Sequence, residues 1–435
     1  MRTRSLATTA ALAALLAPAA APARPVPSLR APHGAIVVVC APDSAARVRR
    51  SRAGPRLLRA CRHRRIQAAV DAAGRDATVL VLPGIYQERV FIRQAGLRLE
   101  GAGRRARDVV IRGGISARRA DGLVLASLTA ERAVGSDVSI AATDGFRVHR
   151  VVARWARDDG ISAAASDHGL LDRVEGYANG GAGLRVGPGP RAGCGSGHGI
   201  EVRDANAYGN VVGYAGSSGD AAWVHRSRLA GNATGASVDP FAAGPATPRG
   251  CLRLEHDSIA ANNAAAFYTP ANAAFCRATP FARRRPGAVC PRLATPVGSG
   301  VVLRGINHAL VRGNAIYGNA RSGVRLFWSP AAARGQRDPA RQFDTSNGNR
   351  FLDNRLGVHA DGTPAPNGAD VTWDGEGAGN CWSPNTGQAA LPACPGGSLF
   401  SMGDAAAQAR EAPCSAWDPV ADPEPVGCDW PAVPT

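Results

Sequence analysis

The sequence contains no lysine, and aromatic residues make up only 5% of its 435 residues. All 51 basic residues are therefore arginines, and any mechanism that uses a lysine base is excluded. The net charge is +17, but the arginines are scattered, whereas nucleic-acid-binding proteins concentrate them on one element. We interpret this excess as drift in a GC-rich coding sequence and expect no nucleic-acid partner. A general attraction to polyanions, including uronate-rich polysaccharides, follows from the charge.

Long hydrophobic runs are also missing, apart from one at the N-terminus. Residues 6–20 are apolar but too few to span a bilayer. Arg2 and Arg4 precede them, and Ala-Pro-Ala at 21–23 offers a cleavage site. This pattern predicts a signal peptide over residues 1–23 and a secreted or extracytoplasmic protein without membrane insertion.

The chain has no Cys-x-x-Cys pair and no cluster of Cys and His at zinc-ligand spacing, so a zinc site is not expected. Its ten cysteines are an even number, as in proteins that form disulfides in an oxidising compartment. Spacing does not determine which cysteines pair. We predict that neighbours do: Cys40–Cys61, Cys194–Cys251, Cys276–Cys290, Cys381–Cys394 and Cys414–Cys428.

A short repeated pattern ending in asparagine is the main feature that is present. An aliphatic residue stands eight positions before each asparagine, and a mostly small or apolar residue stands five positions after it. The asparagines are Asn179, Asn210, Asn232, Asn262 and Asn319. Their steps of 31, 22, 30 and 57 fit a coil of about 22 residues with insertions, the last step covering two coils. Such a period indicates stacked supersecondary units.

These units are too short and too rich in glycine and asparagine for helical repeats. Their apolar residues alternate over brief runs, as in 199–202 and 323–326, which is typical of strands. We therefore predict an all-β fold, a right-handed parallel β-helix (solenoid) of ten to twelve coils with the asparagines stacked at one turn. The scarcity of aromatic rings fits the small cross-section of such a coil, and the 52 glycines fit its tight turns.

A short capping helix is predicted at the start of the repeats. Ile66, Ala69 and Val70 fall on one face of it, and Gly74 ends it. A continuous apolar strand follows at 78–82. A helix in this place would cover the first coil, whose strand edges and apolar interior would otherwise face water.

The same region resembles the opening of the pectin-lyase-like superfamily, which includes pectinesterases and many secreted bacterial β-helix proteins. The resemblance rests on residues 66–71, on 79–83 and on Gly-Ile-Tyr-Gln-Glu-Arg-Val at 84–90. Together with the repeats it implies that residues 63–375 form the β-helix. Residues 24–62 before it are basic and are predicted to be irregular.

Residues 376–435 depart from the repeat and are rich in Cys, Trp and Pro. We predict that they form an irregular cap, held by disulfides, over the last coil. In the alternative, tryptophans of this region stack on sugar rings. The residues concerned are Trp373, Trp382, Trp417 and Trp430.

The predicted insertions follow the strands of several coils at one shared corner. They comprise residues 187–197, 239–250, 269–299 and 329–348. Insertions that collect on one face of a solenoid often mark its binding face. In the alternative interpretation, this corner only tolerates extra length.

Twelve residues before the asparagines, or before the equivalent positions, lies a column of acidic residues and one histidine. It consists of Asp121, Asp144, Asp167, His198 and Asp220, and we call it the aspartate column. Coils stack about 4.8 Å apart, so these groups would line one edge. Close carboxylates acquire unequal pKa values, as glycosidic cleavage requires, and they also bind Ca²⁺. Alternatively, Asp before Gly is ordinary turn chemistry.

Three short motifs are similar to polygalacturonase signatures: Thr143-Asp144-Gly145, Asp158-Asp159-Gly160 and Gly197-His198-Gly199. The fourth signature needs an Arg-x-Lys that a chain without lysine lacks. The second motif also follows Asp144 by fourteen residues, which places it on another side of the coil.

The sequence therefore supports two functions. The first is interaction with polysaccharide, including cleavage of acidic glycans by a hydrolase or lyase, with Asp144, Asp167, His198 and Asp220 as catalytic residues and Ca²⁺ as a candidate cofactor. The second is a non-catalytic glycan-binding or structural β-helix. For either, we expect a monomer.

Overall fold

The computed structural model describes residues 25–29, 34–48, 55–189, 194, 199–217, 221–240, 250–386, 391–415 and 417–433. Within these residues, each coil passes from sheet A to sheet B and then to sheet C, and neighbouring strands pair in parallel. Sheets B and C have ten strands each. The chain is therefore a right-handed parallel β-helix of ten coils, as predicted. The predicted signal peptide lies outside the described residues.

The strands and helices have the following bounds. Sheet A consists, in spatial order, of Cys61–His63, Ile36–Val39, Thr78–Val81, Arg98–Gly101, Val124–Ala126, Arg147–His149, Gly169–Asp172, Ile200–Arg203, Trp223–His225, Arg253–Glu255, Leu310–Arg312, Arg350–Leu352 and Cys381–Trp382. Sheet B consists of Gly84–Gln87, Val109–Arg112, Thr129–Glu131, Val152–Arg154, Glu175–Tyr177, Asn206–Tyr208, Arg228–Ala230, Ser258–Ala260, Ala315–Tyr317 and Arg355–Leu356. Sheet C consists of Val90–Ile92, Ile115–Arg118, Val138–Ala141, Ile161–Ala164, Ala182–Val186, Val212–Ser217, Thr234–Asp239, Ser299–Arg304, Ser322–Phe327 and Val371–Trp373. The α-helices are α1 (Ser44–Val48), α2 (Pro55–Arg59), α3 (Ile66–Ala72), α4 (Pro270–Ala278) and α5 (Ala405–Ser415).

Alternation along each strand divides the side chains between the core and the outside. Leu171 and Val202 of sheet A and Ile161 of sheet C point inward and are fully buried. Full burial of such a side chain contributes about 1.5–3 kcal/mol, and stacking repeats it in every coil. In four successive strands of sheet B the inward residue is small: Ala130, Ala153, Gly176 and Ala207. A Cβ on Gly176, for example, would lie 2.5 Å from the carbonyl oxygen of Gly183.

The predicted asparagine stack is present at the turn between sheets B and C. Each buried side chain donates from Nδ2 to Oδ1 of the asparagine one coil further on, over 2.9 Å from Asn179 to Asn210 and 3.0 Å from Asn210 to Asn232. Asn262 donates directly to Asn319 over 3.1 Å. Those two residues therefore belong to adjacent coils, and the prediction that the 57-residue step covers two coils is wrong.

A single insertion accounts for that long step. Residues 261–298, which include helix α4, connect a strand of sheet B to a strand of sheet C. The predicted loops 187–197, 239–250 and 329–348 instead connect sheet C to sheet A. The prediction that all insertions share one corner is therefore wrong, because a strand period does not reveal after which strand of the coil extra residues enter.

The N-terminal part closes the first coil, as predicted. Helix α3 buries Ile66, Ala69 and Val70 in the core, and both oxygens of Glu88 accept backbone N–H groups at its start. The preceding segment 24–62, expected to be irregular, adds two parallel strands to sheet A.

The C-terminal part closes the last coil and then turns back along the molecule. The ring of Trp382 stacks on Phe351 at 5.0 Å and is buried. Helix α5 and the residues after it lie on the outer face of sheet C, where Trp417 and Trp430 join a buried cluster with Val212. Burial of these three indole rings supports packing over the alternative of stacking on sugars.

All five predicted disulfides are confirmed, each between neighbouring cysteines. Five disulfides are typical of a protein that folds in an oxidising, extracytoplasmic compartment. Within the described ranges, the helices are all too short or too polar to cross a bilayer.

Candidate functional site

The corner between sheets C and A carries three members of the aspartate column. Asp144 and Asp167 form a parallel bridge, and the N–H of Gly122 donates to the carbonyl oxygen of Asp144 over 3.0 Å. Asp144 precedes Gly145 and Asp167 precedes His168, and both following residues have a positive φ, 67° and 48°. The three aspartates thus occupy equivalent positions of one tight turn in successive coils.

The carboxylates of this turn bind its backbone and one histidine. Oδ1 of Asp121 accepts the N–H of Asp144, and Oδ1 of Asp167 accepts the N–H of His168, both over 2.9 Å. His168 Nδ1 lies 2.6 Å from Oδ1 of Asp144 and 3.7 Å from Oδ2 of Asp167. Two of the three aspartates therefore hold the turn, as the turn-chemistry interpretation expects. His168 was not among the predicted site residues.

The other two predicted catalytic residues, His198 and Asp220, lie outside the described residues. A catalytic role for Asp144, Asp167, His198 and Asp220 stays a prediction. The second polygalacturonase-like motif lies at a different corner, because Asp158 and Asp159 precede a strand of sheet C.

The outer face of sheet A holds a denser set of ionisable groups, which we call the ionic row. Its members face each other in register from coil to coil and stand at the last outward position of each strand. They are His149, Asp172, Arg203, His225, Glu255 and Arg312. The first four follow the aspartate column by five residues along the chain.

His149 and Asp172 form a pair at one end of the row. Nδ1 of His149 lies 2.8 Å from Oδ2 of Asp172, and Nε of Arg203 donates to Oδ1 over 3.3 Å. Burial lowers the pKa of His149 more than Asp172 raises it. Burial would raise the pKa of Asp172, but hydrogen bonds from Arg203 and His149 outweigh it and the pKa is lowered. A neutral imidazole therefore donates from Nδ1 to an ionised carboxylate, which leaves Nε2 as the basic nitrogen.

Arg147 stands two residues before His149 on the same strand, so both side chains project from the outer face. Its Nε is buried and has no hydrogen-bond partner among the described residues. Burial lowers the pKa of this guanidinium, while the charge of Asp172 opposes the shift. Arg147 thus places a partly buried positive charge on the same face as His149.

The remaining members of the row form ion pairs with charged neighbours on the same face. Oε1 of Glu201 lies 2.9 Å from Nε2 of His225, whose ring stacks on Trp223 at 4.0 Å. Glu255, only 2% exposed, is held between Arg253 and Arg312 at 2.6 and 2.7 Å. These carboxylates neutralise neighbouring charges and hold the face in shape.

The sequence contained a signal for the ionic row that our prediction missed. His149, Asp172, Arg203 and His225 recur at steps of 23, 31 and 22, nearly the same steps as the asparagines. Each is the last residue of its strand, at an outward position where the repeat does not require a charged residue. Searching the polar positions for the period of the apolar ones would have found them.

A second concave region lies on the outer face of sheet C. It is a cavity of about 390 Å³ between the strands, the insertion 261–298 and the C-terminal residues, lined by Arg185, Asp239, Arg304, Trp417 and Trp430 among others. Arg185 is bound to Asp159 at 2.7 Å, and Arg304 lies over the ring of Trp430 at 4.5 Å. Arg304 thus packs against the C-terminal segment, whereas Arg185 is paired within the coils.

The candidate cofactor Ca²⁺ would need a group of oxygen ligands on this chain. In the part of the chain that the structure describes, no three His, Cys, Asp or Glu side chains are grouped as metal ligands. The described aspartates of the column bind the turn and His168.

No protein-family model matches the chain, and no curated protein sequence does. Its backbone is similar to that of the A-module of the mannuronan C-5 epimerase AlgE4 of Azotobacter vinelandii, at 18% identity and a TM-score of 0.43, over 77% of this chain and 94% of that one. The pectate lyase Pel9A is 13% identical, with a TM-score of 0.39, over 84% of this chain and 82% of that one. PfbA, a surface adhesin of Streptococcus pneumoniae, is 9% identical, with a TM-score of 0.42, over 78% of this chain and 91% of that one. These likenesses concern architecture alone.

Proposed function

We propose that the protein is an extracytoplasmic lyase that cleaves an acidic polysaccharide on the outer face of sheet A. The observation that carries this proposal is the placement of His149, which Asp172 orients and which stands beside Arg147 and Arg203. This set combines a neutral base with cationic groups on a solvent-facing strand.

The set matches what eliminative cleavage of a uronate requires. A base must take the C5 proton, whose acidity rises when the neighbouring carboxylate is neutralised by a cation. The electron pair then forms the C4–C5 double bond as the bond from C4 to the glycosidic oxygen breaks, and that oxygen takes a proton from water. His149 Nε2 is the base, and the guanidinium of Arg147 on the same strand is the cation beside the carboxylate.

Hydrolysis finds less support on this face. It needs one protonated and one ionised carboxyl group on either side of the scissile bond. The pKa of Asp172 is lowered, and Glu201 is bound to Arg203 and His225, so neither is suited to donate a proton. Asp144 and Asp167 remain the candidates for hydrolysis.

A second candidate function is glycan binding without turnover. The hydrogen bonds from backbone N–H groups to Asp121 and Asp167 favour it, because they give these carboxylates a structural task. The arginines of sheet A would then only attract an acidic polymer.

The test is a screen of residues 24–435 against acidic and neutral polysaccharides, with and without calcium. Reducing ends and the ultraviolet absorbance of unsaturated products are followed together. We expect both to rise on a uronate polymer, His149→Asn and Arg147→Gln to abolish the rise, and Asp144→Asn to retain it. His256→Asn, an exposed histidine at another corner, is the matched control.

Other outcomes would contradict the lyase. Reducing ends without absorbance, abolished by Asp144→Asn, would make the protein a hydrolase that uses the aspartate column. No product from any substrate, while the circular dichroism of the folded protein is retained, would favour binding without turnover.

A further inference from the structure

An arginine-lined pocket opens beside the insertion 261–298, away from sheet A. It has a volume of about 400 Å³, and its charged lining consists of Arg157, Arg277, Arg284 and Arg292. Phe281 and Val420 supply apolar wall, and no acidic residue is part of the lining. Four cations around one cavity without a lining carboxylate is unusual, because like charges repel unless an anion lies between them.

The walls of this pocket are held in place by hydrogen bonds and a disulfide. Arg284 donates from Nε to the carbonyl oxygen of Thr279 over 3.0 Å and from Nη2 to that of Cys276 over 2.8 Å. Arg277 donates to the carbonyl oxygen of Val420 over 3.2 Å. The disulfide Cys276–Cys290 links two parts of the lining. The guanidinium groups of Arg277 and Arg284 are therefore positioned before any ligand arrives, which lowers the entropy cost of binding.

The charges of the pocket are only partly balanced by the protein. Asp158 lies 3.2 Å from Nε of Arg292, which accounts for one of the four cations. The guanidinium of Arg157 has no side-chain partner among the described residues. The pKa of Arg284 is lowered, first by burial and then by the charges of Arg157 and Arg292. An added anion would relieve this repulsion.

We propose that this pocket binds an oxyanion group, sulfate or carboxylate, carried by a unit of an acidic glycan. Planar guanidinium groups bind two oxygens of such a group at once, and the volume leaves room for the sugar ring beside Phe281. That the ligand is a glycan rests on the proposed function, whereas the anion site stands independently of turnover at His149.

The test compares two double variants of the folded chain that remove the same charge. Arg157→Gln/Arg277→Gln changes the pocket, and Arg93→Gln/Arg337→Gln changes two exposed arginines elsewhere. Affinity for chondroitin sulfate and for polygalacturonate is measured by calorimetry at fixed ionic strength. We expect the pocket variant to bind one of them about tenfold more weakly and the control less than about twofold more weakly. Weaker binding of chondroitin sulfate alone identifies sulfate as the bound group, whereas weaker binding of polygalacturonate, which carries only carboxylates, identifies carboxylate.

Equal weakening of the two double variants would overturn the proposal, because the net charge alone would then account for binding. Arg157→Gln by itself, which touches none of the hydrogen bonds that hold the wall, should reproduce at least half of the loss in binding free energy. Turnover of a short uronate oligosaccharide should be the same in the pocket variant and the wild type. If no variant turns over any substrate but the pocket variant still loses affinity, the lyase fails and the anion site stands.

Discussion

Replacing Asn232 with alanine tests whether the asparagine stack holds neighbouring coils together. The side chain of Asn232 is fully buried. Its Oδ1 accepts hydrogen bonds from N and Nδ2 of Asn210, both over 3.0 Å. Its Nδ2 donates to the carbonyl oxygen of Ala207 over 3.0 Å and to Oδ1 of Asn262 over 3.1 Å. One side chain thus connects three coils.

The cost of the substitution follows from which partners are left without a bond. Nδ2 of Asn210 still reaches the carbonyl oxygens of Gly176 and Tyr208, and Oδ1 of Asn262 still accepts the backbone N–H of residue 232. The N–H of Asn210 and the carbonyl oxygen of Ala207 lose a partner inside the core. Each unsatisfied buried group costs roughly 1–3 kcal/mol, so for the two groups we expect a loss of about 2–6 kcal/mol.

Urea unfolding of the oxidised protein, followed by circular dichroism, measures this loss as a shift of the midpoint. Asn206→Ala is the matched control, because Asn206 belongs to the same region and lies on the outer face of sheet B, where its Oδ1 has no partner among the described residues. Its effect should stay within about 0.5 kcal/mol. If Asn232→Ala differs from this control by less than about 1 kcal/mol, the stack contributes little and our reasoning is wrong.

Two further predictions concern buried ionisable side chains. Burial raises the pKa of Asp257 to about 8. The folded protein therefore keeps a proton that the unfolded chain releases near pH 4. Because of this, the stability of the folded state falls as the pH rises from about 4 to 8. Asp257→Asn, which extends the stacked Asn314 and Asn354, should raise the Tm at pH 8 more than at pH 5; an equal change at both would contradict the assignment. Glu411 lies between the nearly buried Arg304 and Arg325, at 3.5 and 2.6 Å, so Glu411→Gln should cost about 3–5 kcal/mol in the docking of the C-terminal segment. Hydrogen exchange should then increase in residues 405–433 and not in sheet B. Unchanged protection of residues 405–433 would refute this prediction.

The features that sequence reasoning recovered are those that neighbouring coils repeat. The spacing of the asparagines predicted the coil and the stack, because each coil contacts only the next and the same interaction recurs. Helix α3 followed from one apolar face and from the need to close an open end. The disulfides followed from the proximity of cysteines along the chain, since a solenoid keeps such residues close in space.

The features that sequence reasoning missed depend on contacts that do not recur with the period of the repeat. His149 meets Asp172 only because two strands pair in a particular register, and the pKa of the imidazole depends on its burial within that face. The arginine pocket joins Arg157 to Arg277 and Arg284, more than a hundred residues apart, through an insertion whose corner the repeat does not specify. A repeating interaction is encoded once per coil and can be read from the chain, whereas the docking of an insertion and of the C-terminal segment is a single long-range event. For this protein, the coil belongs to the first kind and both proposed sites to the second.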